Sequence, residues 1–288
     1  MNGPSARSLT LIDLALEEDL GRVGDITARA CLVPGRRGRA RIEARQTGVV
    51  CGLELVRAVF MRLADGRPLE IRNLVEEGAR VTPMQRLLDI EGDLAVILGG
   101  ERTALNFLQR LSGIASMTRS LVDRLEGSST RILDTRKTLP GWRELDKAAV
   151  ACGGGRNHRH GLYDLFLIKE NHIRGAGGIL PALERARALR DQEDLDCQLE
   201  IEVENLAELE QAIAGGADIV MLDNFTPEGV SSAVELAGGR VLLEVSGGIT
   251  ADNLADYARR GVDFISIGAL THSVKAFDCS LLVEEVDS

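Results

Sequence analysis

The sequence predicts an α/β protein in which a βα barrel follows an α+β domain. Two observations carry that expectation: a strand–helix rhythm over residues 131–268, and a different, mixed rhythm before it. A third, the charge gathered where the apolar runs end, selects a barrel over other parallel sheets.

In the first part, Leu9 to Leu20 has the spacing of an amphipathic helix. Strand-like stretches lie at Ala40 to Ala44 and Val49 to Cys51, and Leu53 to Leu63 is helical in pattern. Val75 to Val81 and Gln85 to Ile90 suggest strand–turn–strand around a proline. Leu94 to Leu125 is mostly helical, with a break expected at Gly113.

In the second part, six short apolar runs recur, at Arg131 to Asp134, Leu165 to Lys169, Leu199 to Val203, Ile219 to Asp223, Val241 to Val245 and Phe264 to Gly268. Helix signals separate them. Asn205 can cap Leu206 to Ala214, Thr226-Pro227 is a cap followed by a first-turn proline, and Thr250 can cap a segment ending at Gly261. Strands alternating with helices at this spacing give a parallel sheet with crossover helices. A closed βα barrel, regular or irregular, accommodates six strands; an open doubly wound sheet is the alternative. Asp134, Lys169, Glu202, Asp223, Ser246 and Gly268 all fall at or near C-terminal strand ends, the face that carries chemistry in βα barrels.

The 288 residues are 44% apolar and only 3% aromatic, so the core must be built from aliphatic side chains. No window approaches the roughly 18 uninterrupted apolar residues of a membrane span. The N-terminus lacks the basic-then-apolar order of a secretion signal, which points to a cytoplasmic protein. A net charge of -10 argues against nucleic acid as a partner. The five cysteines, Cys31, Cys51, Cys152, Cys197 and Cys279, include no CxxC, so reduced buried thiols are expected rather than disulfides or zinc.

Charge is unevenly spread. Between Arg131 and Arg174 nine Lys or Arg stand against five Asp or Glu, with three of the four histidines. Of 34 basic residues only four are Lys, and Lys137, Lys147 and Lys169 lie in this window. Where an Arg-rich chain keeps lysine, a compact ammonium suited to phosphate is a reasonable demand, above all at Lys137 and Lys169.

The densest block runs Asp134-Thr-Arg-Lys-Thr-Leu-Pro-Gly141, then Gly153-Gly-Gly-Arg-Asn-His-Arg159, then Leu167-Ile-Lys-Glu-Asn-His172. Arg136, Lys137, Arg159 and Lys169 supply four cations and His158 a further donor. A surface charge is the default for any one of them, but the cluster fits a strongly anionic small molecule, with Arg forks for carboxylates and Lys for phosphate. Glu202 and Asp223 can hold Mg²⁺ through water or stabilise developing positive charge. Glu200 and Glu204 share the side of Glu202 on its strand, and the sequence leaves open which faces a pocket. Ser246-Gly-Gly-Ile-Thr250 and Gly268-Ala269 are glycine turns of the kind that bind phosphate after late barrel strands, with His272 a loop histidine or a further donor.

These three blocks, in this order, resemble the quinolinate phosphoribosyltransferase family. The resemblance extends to Glu17-Glu-Asp-Leu-Gly-x-x-Gly-Asp-Ile-Thr27, Glu101-Arg-Thr-Ala-Leu-Asn-Phe107, Leu222-Asp-Asn-Phe225, Ser246-Gly-Gly248 and Gly268-Ala-Leu-Thr-His272, and so covers almost the whole chain. Departures such as Trp142 and His160 touch no residue given a role. The resemblance implies an irregular, incompletely closed βα barrel (residues 113–273) preceded by an α/β sandwich domain (residues 1–112), with a C-terminal segment (274–288) returning to the first domain. It implies a homodimer or higher homo-oligomer with shared sites. It also implies condensation of quinolinate with phosphoribosyl pyrophosphate and Mg²⁺, giving nicotinate mononucleotide, pyrophosphate and CO₂ in de novo NAD biosynthesis.

By the same resemblance, Arg102 (from the neighbouring subunit), Arg136, His158, Arg159 and Lys169 bind quinolinate, with Thr135 beside them in the first motif. Lys137, Glu202 and Asp223 surround the ribose and pyrophosphate, and Ser246, Gly247, Gly248, Gly268 and His272 the 5-phosphate. Lys137, Lys169, Glu202 and Asp223 are the expected catalytic set. No direct metal ligand is implied: Mg²⁺ comes with the pyrophosphate, near Glu202 and Asp223. Competing readings are the molybdate-transport-associated paralogue of the family, another phosphosugar barrel enzyme, and a non-catalytic phosphometabolite-binding protein. The last two would need fewer carboxylate-binding cations or no paired strand-end acids.

Overall fold

The computed structural model describes residues 3–287. Its elements run α1 (Ala6–Leu20), α2 (Ile26–Cys31), β1 (Arg37–Ala44), β2 (Gly48–Val49), α3 (Leu53–Ala64), β3 (Leu69–Asn73), β4 (Arg80–Val81), β5 (Arg86–Asp93), α4 (Leu94–Asp123), β6 (Arg131–Leu133), α5 (Arg143–Cys152), β7 (Phe166–Ile168), α6 (Glu170–Ala176), α7 (Ile179–Gln192), β8 (Leu199–Val203), α8 (Leu206–Ala214), β9 (Ile219–Asp223), α9 (Pro227–Ala237), β10 (Leu242–Ser246), α10 (Leu254–Ala258), β11 (Phe264–Ser266), α11 (Ala269–His272) and β12 (Cys279–Val286). They divide into two compact units. One takes residues up to 119, 139–154 and from 273 onward; the other takes 120–138 and 155–272. No helix among the described residues is long and apolar enough to cross a membrane.

The first unit is built on an antiparallel sheet of order β12-β1-β5-β3. Alternation sets its buried face: Ile42 stands opposite Leu88 on β5 and Leu281 on β12, and Ala40 opposite Ile90, which in turn faces Ile71 on β3. Ser5 caps α1 by accepting the Ser8 amide, which starts the helix three residues before the expected Leu9. Of the strand expected over Val75 to Val81 only Arg80–Val81 forms, paired with β2, and the strand beside β5 is Leu69–Asn73. Val75 to Ala79 turns because Glu77 is drawn to the N-terminus of α3, where its carboxylate accepts the Gly52 amide at 2.9 Å.

Nor does α4 break at Gly113; it runs unbroken over 30 residues. A Cβ at Gly113 would lie 2.3 Å from the Lys275 carbonyl oxygen. The glycine makes room for a passing backbone and does not interrupt the helix, whose remaining hydrogen bonds outweigh a local cost of about 1 kcal/mol. All five cysteines are free thiols, but Cys31 is exposed and Cys152 and Cys197 are half-buried, so burial holds fully only for Cys51 and Cys279.

The second unit holds a six-stranded parallel sheet of order β6-β11-β10-β9-β8-β7. β6 and β7, at its two ends, do not pair, so the barrel is incompletely closed. On the side of β6 away from β11, Arg156 forms a lone parallel bridge with Leu133. The strands read as near-continuous apolar runs because both faces are covered: Ile219, Val220, Met221 and Leu222 of β9 are all buried. Asn205 and Thr226 cap α8 and α9 as expected, with Pro227 in the first turn. Helix α10 starts later than Thr250. Asn253 instead ties the preceding loop, accepting the Thr250 amide at 2.8 Å and donating to the Gly248 carbonyl at 3.0 Å.

Candidate active site

Register places an inward row of polar side chains along this sheet. Glu200 pairs with Ile219, Glu202 and Glu244 both pair with Met221, and Ser246 pairs with Asp223. Alternate residues share a face, so Glu200, Glu202, Glu244, Asp223 and Ser246 all point the same way. Depth separates them. Glu200 and Glu244 are fully buried, Glu202 and Asp223 are half-buried toward the strand ends, and Glu204 is exposed beyond them. This resolves which acid of the Glu200–Glu202–Glu204 series reaches the mouth: it is Glu202.

At that mouth the Lys169 ammonium, just past β7, forms an ion pair with Glu202. Asp223 closes β9, and its carboxyl is pushed above the usual Asp range by burial first and by Glu202 second. Lys169 and Lys137 oppose that rise, so these four residues, from four separate segments, share one electrostatic neighbourhood. Asn224 donates to Asp223 at 2.8 Å.

Beside them lie the two glycine turns. Asn224 has φ +55° and donates its amide to the Ser246 carbonyl at 2.9 Å. Gly247 has φ +97°, and a Cβ there would stand 2.2 Å from the Asn224 side-chain oxygen, so only glycine fits. Gly248 also takes a positive φ. After β11, Gly268 sits against the His272 ring and the Lys137 side chain, where a Cβ would lie 3.1 and 3.3 Å away. The Thr271 hydroxyl donates to the Lys137 carbonyl at 2.8 Å, and the Thr135 hydroxyl accepts the Lys137 amide at 3.1 Å. Lys137, Gly268 and His272 are thereby gathered at the turn.

The cation block comes together around Asp134, which is buried just beyond β6. Its Oδ1 accepts the His158 amide at 2.9 Å, and its own amide donates to the Arg156 carbonyl at 3.2 Å. This pins the segment after the three glycines to the strand end. Arg159 donates to the Leu165 carbonyl at 3.3 Å. Burial, and then the nearby Arg136, hold the Arg159 guanidinium below its usual range. Arg136 has a buried Nε with no hydrogen-bond partner. Two crowded guanidinium groups with spare donors form a receptor for a multiply charged carboxylate.

His158 points inward. Its Nδ1 accepts the Arg159 amide at 2.7 Å, and its Nε2 lies 3.1 Å from Glu200 and 3.5 Å from Glu244. Burial, then Glu200, push the Glu244 carboxyl up to about 8. Sequence reasoning did not single out Glu244 or assign Asp134 a role. The signal was there in Leu242-Leu-Glu-Val245, a lone acid inside an apolar strand. Arg102 belongs to the first unit; it is exposed on α4, with Glu101 4.0 Å away.

Comparison with known proteins gives one family over nearly the whole chain. Residues 25–112 match the model of the quinolinate phosphoribosyl transferase N-terminal domain, and residues 114–282 that of the C-terminal domain. The chain is 40% identical over 270 residues to the nicotinate-nucleotide pyrophosphorylase [carboxylating] of Mycobacterium leprae, covering 93% of this chain and 94% of that protein. It is 39% identical over 264 residues to the probable nicotinate-nucleotide pyrophosphorylase [carboxylating] of Bacillus subtilis, covering 92% and 89%. The solved nicotinate-nucleotide pyrophosphorylase of Francisella tularensis superposes with a TM-score of 0.91 at 43% identity, covering 98% of this chain and 97% of that one.

Proposed function

The chain belongs to the quinolinate phosphoribosyltransferase family, and from that premise we propose that it joins quinolinate to phosphoribosyl pyrophosphate, releasing pyrophosphate and CO₂ and forming nicotinate mononucleotide for NAD biosynthesis. The observation that carries this reading is the pairing of two crowded guanidinium groups, Arg136 and Arg159, with an ammonium–carboxylate pair, Lys169 and Glu202, at the strand ends of one sheet.

Arg136, Arg159 and Lys169 clamp the two ring carboxylates and aim the pyridine nitrogen at the anomeric carbon. The nitrogen lone pair forms the new bond as the carbon–oxygen bond to pyrophosphate breaks. Glu202 and Asp223 stabilise the positive charge that builds on the ribose, and Lys137 meets the departing diphosphate. The glycine turns at Ser246–Gly248 and Gly268, with His272, hold the 5-phosphate through backbone donors. The resulting pyridinium accepts the electron pair when the adjacent carboxylate leaves as CO₂, and a proton then takes its place. Positioning and preorganised charge supply most of the rate.

Two half-buried carboxylates, one of which, Asp223, is made harder to ionise by the other, fit a hydrated divalent cation. Glu202 and Asp223 would hold Mg²⁺ through its waters. When bound with pyrophosphate, Mg²⁺ supplies charge neutralisation of the leaving group. We also propose a homodimer in which Arg102 completes the partner's site.

The first test is turnover with quinolinate, phosphoribosyl pyrophosphate and Mg²⁺, with nicotinate as the control. Formation of nicotinate mononucleotide from quinolinate alone supports the reading; equal or exclusive use of nicotinate contradicts it. Shared sites are tested by mixing Arg102→Ala with Lys137→Ala subunits. Activity should recover in the mixed dimers, and none would appear if each subunit worked alone.

A further inference from the structure

The His158 ring has both nitrogens turned toward protein. Its Nδ1 accepts the amide of Arg159 at 2.7 Å, so that nitrogen carries no proton. In a neutral ring the proton then sits on Nε2, which lies 3.1 Å from a Glu200 oxygen and 3.5 Å from a Glu244 oxygen, within ion-pair range of both carboxylates. The side chains of His158, Glu200 and Glu244 are 7%, 0% and 1% exposed, respectively. Both glutamates reach the ring from strands that flank β9, on its inward face. The Ser266 side chain also reaches the Glu244 carboxylate, so that acid is anchored from β11 as well.

We infer that Glu200 and Glu244 are positioning residues: they lock His158 as the neutral Nε2–H tautomer, and His158 in turn seats Arg159 through its amide, without giving a ring nitrogen to the substrate. This deepens the quinolinate reading and rests on it for the identity of the ligand. It reassigns His158 from the substrate-binding set implied by family resemblance to the framework beneath it. Four segments meet in this lock. Asp134 beyond β6 holds the His158 amide, β8 and β10 hold the ring, and the ring holds the residue whose guanidinium lies beside Arg136. Removing the partner that orients a metal ligand commonly costs ten- to a hundredfold in affinity or activity, and a partner that orients a substrate-binding arginine should act in the same direction.

The ring state can be read directly. With ¹⁵N-labelled histidine, the four histidines give four ring systems, and a His158→Gln spectrum identifies the one that matters. The expected result is one protonated nitrogen, Nε2, and one unprotonated, Nδ1, unchanged when quinolinate saturates the protein. An Nδ1–H tautomer, a doubly protonated ring, or a change of ring state on quinolinate binding would overturn the inference. So would a transition metal retained at one per chain after chelator dialysis, because these three side chains converge closely enough to ligate one.

Kinetics give the second arm. Glu200→Leu should raise the quinolinate KM about tenfold or more and leave the phosphoribosyl pyrophosphate KM within about twofold, and Glu200→Gln, which keeps an acceptor oxygen, should restore most of the loss. Equal damage to both KM values, or no rescue by Gln, would indicate general disruption instead. The ring spectrum needs no substrate, so it remains decisive even if quinolinate proves not to be the ligand.

Discussion

The two sheets bury glutamates in different ways. In the first unit, Glu43 on β1 is 2% exposed and is met by two guanidinium groups, Arg41 at 2.8 Å and Arg45 at 3.1 Å. In the second, Glu244 on β10 is equally buried but faces another carboxylate and a histidine. The antiparallel sheet has an accessible face, where Arg41 on the same strand and Arg45 just past its end lie beside Glu43 at alternate positions. The parallel sheet is covered on both faces, so an interior acid must be answered by a proton, a histidine or a ligand. The acids of the first sheet serve stability, whereas those of the second sit behind or within a site that handles charge.

The contrast predicts where substitutions hurt. The largest effect should come at the strand ends: Glu202→Ala or Asp223→Ala should lower turnover by about 100-fold or more, with quinolinate KM changed by only a few-fold. Steady-state kinetics would show otherwise if the loss fell on KM. Arg159→Ala should act the opposite way, raising quinolinate KM by roughly 10- to 100-fold through a lost charge-assisted contact.

Stability separates the two buried acids. Glu43→Gln should cost about 1–3 kcal/mol at neutral pH, because Arg45 loses its carboxylate partner and Arg41 keeps only Glu284. Glu244 behaves differently with pH. Its folded carboxyl is raised to about 8 from an ordinary value near 4.5, so its stabilising contribution is complete below about 4.5 and is lost as pH rises through about 8. Between pH 5 and 9, thermal unfolding of Glu244→Gln should therefore gain on the wild type. A constant gap across that range would mean that Glu244 is ionised throughout. The smallest effect belongs to the solvent face of the first sheet, where Arg39 pairs with Glu91 and Glu285 in the open. Arg39→Ala should leave the unfolding midpoint unchanged within error.

The same burial contrast decided what the sequence disclosed. All six strands of the second unit stand out as apolar runs because both faces are covered. β3 of the first unit, Leu69-Glu-Ile-Arg-Asn73, alternates on a half-wet surface and presents no apolar run to mark it. Gly113 carries a breaker's signature, but its cause is the Lys275 backbone, distant in sequence, which no local pattern contains. The cations of the candidate site were legible because Lys137 and Lys169 are rare lysines beside glycine turns. The framework beneath them was less so: alternation put Glu200 on the side of Glu202, but only register shows it meeting Glu244 and His158.

The most direct test of the account follows a single atom. Quinolinate labelled with ¹³C in the carboxyl group next to the ring nitrogen should yield one labelled CO₂ for each nicotinate mononucleotide formed, with no turnover of nicotinate under the same conditions. Nucleotide formed with the label retained, or label released without nucleotide, would contradict the claim that the strand-end site couples ribosyl transfer to decarboxylation.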